Sequence, residues 1–236
     1  MITSKVRKKE EIISLFKDGM VVAIGGQATM GAPYELIECL LESGAKHLTT
    51  ISIDSGDPDY AIGRLVHAGL IDKMYVSHTG VNPETMRLID EGKIEAEYNP
   101  MGTLVERMRA GGYGLGGILT KVGLGTMVQK GKQLITVNGE EYIVEPALRA
   151  DIALVHAHIV DSYGNMMFYG TDTNDNPIAA TCADITVVEA EKLVPIGELK
   201  IENRQLSGAY VDHILDQNVI CPVNKDMSTR FPGLQA

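Results

Sequence analysis

Along the first part of the chain the spacing of apolar residues switches repeatedly between a helical and a strand period, the rhythm of an α/β fold. Ile12, Ile13, Leu15 and Phe16 share one helical face, and Asp18-Gly19 supplies a left-handed stop. Residues 20–24 are a short, continuous apolar run, which fits a parallel strand covered on both faces, and Gly25-Gly26 turns the chain after it. Leu36, Ile37, Leu40 and Leu41 recur at helical spacing within residues 34–41, Gly44 ends that helix, and residues 47–53 read as the next strand. The unit repeats as a helix over 61–70, a strand over 73–77, a helix over 83–91 followed by Gly92, and a strand over 94–98. Right-handed crossovers of this kind build an open, mainly parallel sheet with helices on both faces, and such sheets bind ligands at the carboxyl ends of their strands. The loops after Ile24, Ile53, Ser77 and Tyr98 are therefore expected to share one rim.

The second half is less periodic. Glycine crowds residues 111–125, a stretch expected to be neither helix nor regular strand and to serve as a crossover loop or an active-site wall. Residues 134–137 and 141–144 flank Asn138-Gly139, whose two positive φ angles make a type I′ turn, so a small β-hairpin is expected. Residues 152–160 and 185–189 read as buried strands, with turn chemistry over 174–177 between them. One domain over 1–220 and a loosely ordered tail over 221–236, which carries Pro222, Pro232 and Gly233, complete the expected organisation.

Charge narrows the partners. A formal net charge of −10 repels nucleic acid and anionic membrane surfaces, so an anionic ligand must be held by local dipoles or isolated cations. Apolar runs fall far short of the roughly 18–20 residues that span a bilayer, and no export signal is apparent, so a soluble, cytoplasmic protein is expected. Cys39, Cys182 and Cys221 lack metal-ligand spacing and read as buried or incidental thiols of a reducing compartment. His78, His156, His158 and His213 have no metal spacing either; His156 and His158 alternate on one face of a strand, which suits structural hydrogen bonds, and no metal site is assigned. Asp54, Asp57 and Asp59 form an acidic loop at the expected rim, either as turn formers or as a site for a positively charged substrate.

The most informative segment is the strand, glycine turn and helix start over 18–33. The amides of Gly25, Gly26, Gln27, Ala28, Thr29, Met30 and Gly31, with the positive helix end near Pro33, can host an anion without a basic side chain, as the phosphates of an adenine-type cofactor require. The bland reading is a tight strand-to-helix turn. The pattern resembles the signature of class I coenzyme A transferases: Asp-Gly, an apolar run, Gly-Gly-Phe, three variable residues and Gly-x-Pro, with Gln27 where the family has phenylalanine. The resemblance continues in order through Asn82-Pro83-Glu84-Thr85, Gly102-Thr103-Leu104, Glu106-Arg107, Arg109 with Gly111-Gly112, Gly123 with Gly125-Thr126, Arg149-Ala150-Asp151, Gly164-Asn165 and Ala183-Asp184-Ile185. It is nearest to the α subunits of acetate or acetoacetate coenzyme A transferases.

That resemblance implies an α subunit that meets a structurally similar β-type subunit around the active site, in an αβ or α2β2 complex. It also implies that CoA passes between a short-chain acyl-CoA and a free carboxylic or 3-oxo acid by double displacement, as in short-chain acid and ketone-body metabolism. CoA is then a substrate, and no cofactor is permanently bound. In the family the attacking glutamate lies in a Ser-Glu-Asn-Gly-like segment of the β part. Such a segment is missing here: Glu202-Asn203 precedes Arg204, and Glu140 and Glu141 follow Asn138-Gly139, so these read as surface charges and no catalytic nucleophile is assigned.

This chain is expected to supply cofactor contacts and a pocket wall formed by Gln27, Met101, Gly102, Tyr113, Ile118 and Lys121. The family's Pro-Gln-Gly-Thr reads Pro100-Met101-Gly102-Thr103 here, so a pocket amide is lost at Met101 as one is gained at Gln27, either by exchange across one pocket or by drift at two unrelated sites. Tyr113, Ile118 and Lys121 also depart from the family pattern and can reshape the acyl pocket; Lys121 is either a solvated charge or a partner for a carboxylate or CoA phosphate. The alternative function is a non-catalytic module of the same fold that binds acyl-CoA or a phosphorylated metabolite.

Overall fold

The computed structural model describes residues 3–27 and 30–219; the tail over 221–236, Cys221 within it, and the loop residues Ala28 and Thr29 lie outside the described residues. In chain order, β1 (Val6–Arg7), α1 (Lys9–Ile13), β2 (Val21–Ile24), α2 (Tyr34–Ser43), β3 (Leu48–Asp54), α3 (Ile62–His67), β4 (Ile71–His78), α4 (Pro83–Asp90) and β5 (Glu95–Tyr98) alternate strand and helix. Next come α5 (Met101–Gly112), β6 (Gly117–Thr120), β7 (Leu134–Val137), β8 (Glu140–Pro146), β9 (Ala150–Asp161), β10 (Met166–Met167), α6 (Asn176–Ala179), β11 (Ala183–Val194) and β12 (His213–Asn218).

The main sheet runs β1-β12-β11-β9-β2-β3-β4-β5 and is parallel along this path, with β10 antiparallel on β9. Successive side chains alternate between two apolar layers. Val22, Ile24, Ile152 and Leu154 pack with Leu36, Ile37 and Leu40 of α2 and Leu65 of α3. Ala23, Ala153 and Val155 face the other way, onto Leu104 and Met108 of α5 and Ile178 and Ala179 of α6. Both faces are thus covered, which is why these strands are apolar without alternation. Chain order reverses at β2: the chain first builds outward through β3, β4 and β5, then returns to lay β9 on the opposite side. That is a topological switch point, where the strand ends leave a crevice.

Local chemistry sets the boundaries. Asn82 caps α4 by accepting from the Glu84 and Thr85 amides, ahead of Pro83 in the first turn. Asn138 and Gly139 have φ values of 52° and 81°, the two positive angles expected of the β7–β8 turn. β6, β8 and β7 form a separate antiparallel sheet.

Two expectations are corrected. The glycine-rich stretch is not irregular throughout, since Gly111 and Gly112 end α5 and residues 117–120 form β6. Its glycines permit close packing: a Cβ on Gly111 would lie 1.9 Å from the Leu148 carbonyl oxygen, and one on Gly117 2.4 Å from that of Glu145. Residues 174–177 are not only a turn, because α6 starts at Asn176 with Pro177 in its first turn.

Candidate functional site

A cavity of about 900 Å³ opens at the carboxyl edge of the sheet, beside the switch point. Gln27 follows β2, Ile53 lies near the end of β3, and Met101, Gly102 and Thr103 begin α5 after β5, so three of the four expected rim loops converge there. Ile118 and Thr120 of β6 close one side; Asn174, Asp175 and Ile178 close another. Gln27 and Met101, the two departures from the family signature, therefore line one cavity, together with Gly102 and Ile118. Tyr113 lies at the far, C-terminal end of α5, more than half exposed and outside the lining. Lys121 is also outside it, paired with Glu140 at 2.5 Å and poised over the Tyr142 ring.

Arg107 fixes the elbow from which Met101 projects. Its guanidinium is buried, donating to Glu97 Oε1 at 2.6 Å, to Asn99 Oδ1 at 2.5 Å and, through Nε, to the Pro146 carbonyl at 2.8 Å. The end of β5, the start of α5 and the small sheet are thereby tied to one cation. On the rim, Arg109 chelates Glu106 through Nε at 3.1 and 3.2 Å.

The glycine turn is folded inward. Gly25 N–H donates to Leu154 O at 3.0 Å, Gln27 and Met30 exchange amide bonds at 2.9 Å, and the Gly26 amide bonds the Asp175 carboxyl. Gly25 and Gly31 are needed because a Cβ would strike Asn176 Oδ1 at 2.1 Å in the first case and Asp172 Oδ1 at 2.3 Å in the second. Asn176 locks the turn, accepting from the His156 amide and donating to Gly31 O. The amides of Gly25, Gly26, Gln27 and Met30 are thus committed to protein acceptors.

The helix end near Pro33 also already has its anion. Glu189, fully buried on β11, accepts from the Leu36 amide at 3.0 Å and from the Glu35 amide, in the first turn of α2. Glu189 lies in register with His156 on β9, whose Nδ1 is 3.0 Å from its carboxylate. Two residues on, His158 Nδ1 meets Glu191 at 2.6 Å, so the two histidines do serve as structural hydrogen-bonding groups. Burial alone would depress the His156 pKa; the hydrogen bond to Glu189 and the nearby carboxylates of Glu191, 3.8 Å from Nε2, and Asp172 outweigh it and raise it to about 10. Glu191 is held down at about 2, chiefly by the facing His156 imidazole 3.8 Å away and by its hydrogen bond with His158. Burial pushes Asp172 up to about 6 and Asp175 to about 7.

These shifts give a pH dependence with a definite sign. The unfolded imidazole loses its proton near pH 6.5 while folded His156 keeps it to about pH 10, so its stabilisation is complete below 6.5 and lost on the way to 10. Asp172 and Asp175, protonated more readily when folded, push the same way as pH rises through about 6 and 7. Urea unfolding is expected to show a lower midpoint at pH 9.5 than at 6.5, by as much as roughly 4 kcal/mol of stability. A flat or rising midpoint would contradict the pairing described.

Sequence reasoning passed over Asp175, Arg109 and Glu106 as cavity groups and Glu189 as a buried anion. Asp175 stood in a segment legible only as turn chemistry, and nothing in a linear pattern pairs Glu189 with His156 thirty-three residues away. Cys39 and Cys182 are buried, with thiols pushed up to about 12, as expected of inert cysteines. Among the described residues no group of three or more His, Cys, Asp or Glu could hold a metal, and no helix is long and apolar enough to cross a membrane.

Comparison with known proteins accounts for the combination of this fold and this site. The family model for coenzyme A transferase matches residues 6–217, and the chain belongs to that family. The chain is 43% identical over 216 residues to the acetoacetyl-CoA:acetate/butyrate CoA transferase alpha subunit of Clostridium acetobutylicum, covering 92% of this chain and 99% of the relative. It is 42% identical to the acetate CoA-transferase subunit alpha of Escherichia coli K12, covering 90% and 96%. It is a coenzyme A transferase subunit of the α type. An acyl-CoA transferase from E. coli O157:H7, solved as a thioester complex with CoA, superimposes with a TM-score of 0.81 at 23% identity; the match covers 90% of this chain and 47% of that one, so this chain spans about half its length.

Proposed function

We propose that this chain joins a β-type subunit, in an α2β2 complex in the cytoplasm, to exchange CoA between a short-chain acyl-CoA and a free carboxylic or 3-oxo acid. A glutamate of the partner attacks the thioester carbonyl and expels CoA thiolate, leaving an acyl-glutamyl anhydride. The thiolate attacks the glutamyl carbonyl and releases the first acid; the incoming carboxylate then resolves the glutamyl-CoA thioester by the same two steps in reverse. The observation that carries the reading is the cavity at the switch point, whose lining holds the Gln27 amide but no carboxylate suited to attack. Glu106 is chelated by Arg109, and Asp175 is buried with its pKa raised to about 7.

In this reading the Gln27 side-chain amide donates to the oxygen where charge develops, and Met101 fills apolar volume across the cavity. The glycine turn forms the wall beside the acyl and thioester end, with CoA phosphates held outside it. Tyr113 and Lys121 are not among the residues that line the cavity, and in this reading they meet the CoA tail or the partner. A phosphometabolite-binding module is less well supported, because four amides of the turn are already spent.

Reconstitution tests the proposal. Mixed with its β-type partner, the chain is expected to move CoA from acetyl-CoA to butanoate or acetoacetate, while alone it turns over more slowly by on the order of 10⁴ or more, the scale on which removing a nucleophile acts. A stable complex without exchange onto any acid would sink it.

A further inference from the structure

We infer that Asp175 is a positioning residue: its carboxyl holds the backbone from which Gln27 projects, and so sets the aim of the Gln27 amide at the thioester oxygen. This deepens the function proposed above and rests on it. Asp175 and Gln27 both line the cavity, but Asp175 is only 4% exposed, and its Oδ1 is sealed from solvent. The carboxyl is therefore not presented to a ligand. It is spent instead on the amide of Gly26, the residue just before Gln27. Burying a carboxyl is costly, and that bond offsets part of the cost by fixing the turn.

Gln27 needs such an anchor. Gly26 has a φ of 102°, and a Cβ there would lie 2.7 Å from the Ala32 backbone, so no side chain at position 26 can brace the turn. Gly25 is tied to β9 through Leu154 O, Asn176 ties Gly31 O, and Gln27 is joined to Met30 within the turn itself. These bonds hold the two ends of the turn and close it on itself. The bond from Asp175 to Gly26 is the one that crosses from the cavity wall at residues 174–178 to the residue beside Gln27. A donor aimed at developing charge acts only where its position is set beforehand, and a misplacement of about 1 Å costs up to roughly 100-fold in rate.

The test is a double-mutant cycle in the complex with its β-type partner, with acetyl-CoA and butanoate as substrates. Asp175→Ala is expected to lower kcat at least about tenfold while KM changes less than about threefold, because the aim of the amide matters in the transition state. Asp175→Asn, whose amide oxygen still accepts from Gly26, is expected to restore most of that loss. In a Gln27→Ala background, Asp175→Ala is expected to cost less than about threefold more, since the group it aims is already gone. A further loss of about tenfold in that background, an asparagine variant as slow as the alanine one, an effect confined to KM, or a Gln27→Ala variant with wild-type kcat overturns the inference. If Asp175→Ala does not assemble, Asp175→Ser, whose hydroxyl is one bond shorter than the carboxyl, enters the same cycle. Exchange with independent effects of the two substitutions leaves the transferase function standing and removes only this assignment; exchange onto no acid by the unaltered complex removes both.

Discussion

Glu189→Ala is expected to lower the free energy of unfolding by about 3–5 kcal/mol, read from the urea midpoint of the full chain. The carboxylate satisfies the amide of Leu36, holds His156 Nδ1 at 3.0 Å and lies fully buried between strands and helix. Its removal leaves an imidazolium inside the sheet with one of its partners gone, uncovers the first turn of α2 and opens a small void. Glu189→Gln should recover part of the loss, because an amide oxygen can still accept from Leu36 while the charge opposite His156 is gone. A loss below about 1 kcal/mol for the alanine variant would mean that the pair contributes as little as an exposed ion pair does.

This pair also has a functional consequence. The His156 amide donates to Asn176, Asn176 donates to Gly31 O, and Asn176 adjoins Asp175 in the cavity wall. The buried histidine and the glycine turn thus share one bridging side chain. A destabilised pair is expected to loosen the wall that carries Gln27.

Legibility in the sequence followed the range of the interactions. The alternation from β2 to β5 was readable because each strand and helix buries a face whose period is local, and stops such as Gly44 and Gly92 sit one and two residues beyond the helices they end. The Asn138-Gly139 hairpin was readable because two positive φ angles need those residues. α5 was obscured by glycines at both its ends, although Leu104 and Met108 keep helical spacing on its buried face. β1 and β12 escaped notice because each is short and finds its partner across the whole chain, Val6 opposite Ile214. In the site, Gln27 and Met101 stood out only by resemblance to a family pattern, whereas Asp175 and Glu189 acquire meaning from neighbours that the fold brings in. The same distinction holds in the glycine turn: glycines announce it, but which acceptors take its Gly25 and Gly26 amides is decided by β9 and the residue before α6.

The most direct test of the central claim is to locate the covalent intermediate. The complex, incubated with acyl-CoA and no acceptor acid, would be denatured and both subunits weighed by intact mass spectrometry. The β-type partner is expected to gain the mass of CoA less water, as a glutamyl-CoA thioester, while this chain keeps its unmodified mass. A CoA adduct on this chain, above all at Glu106 in the cavity lining, would contradict the account.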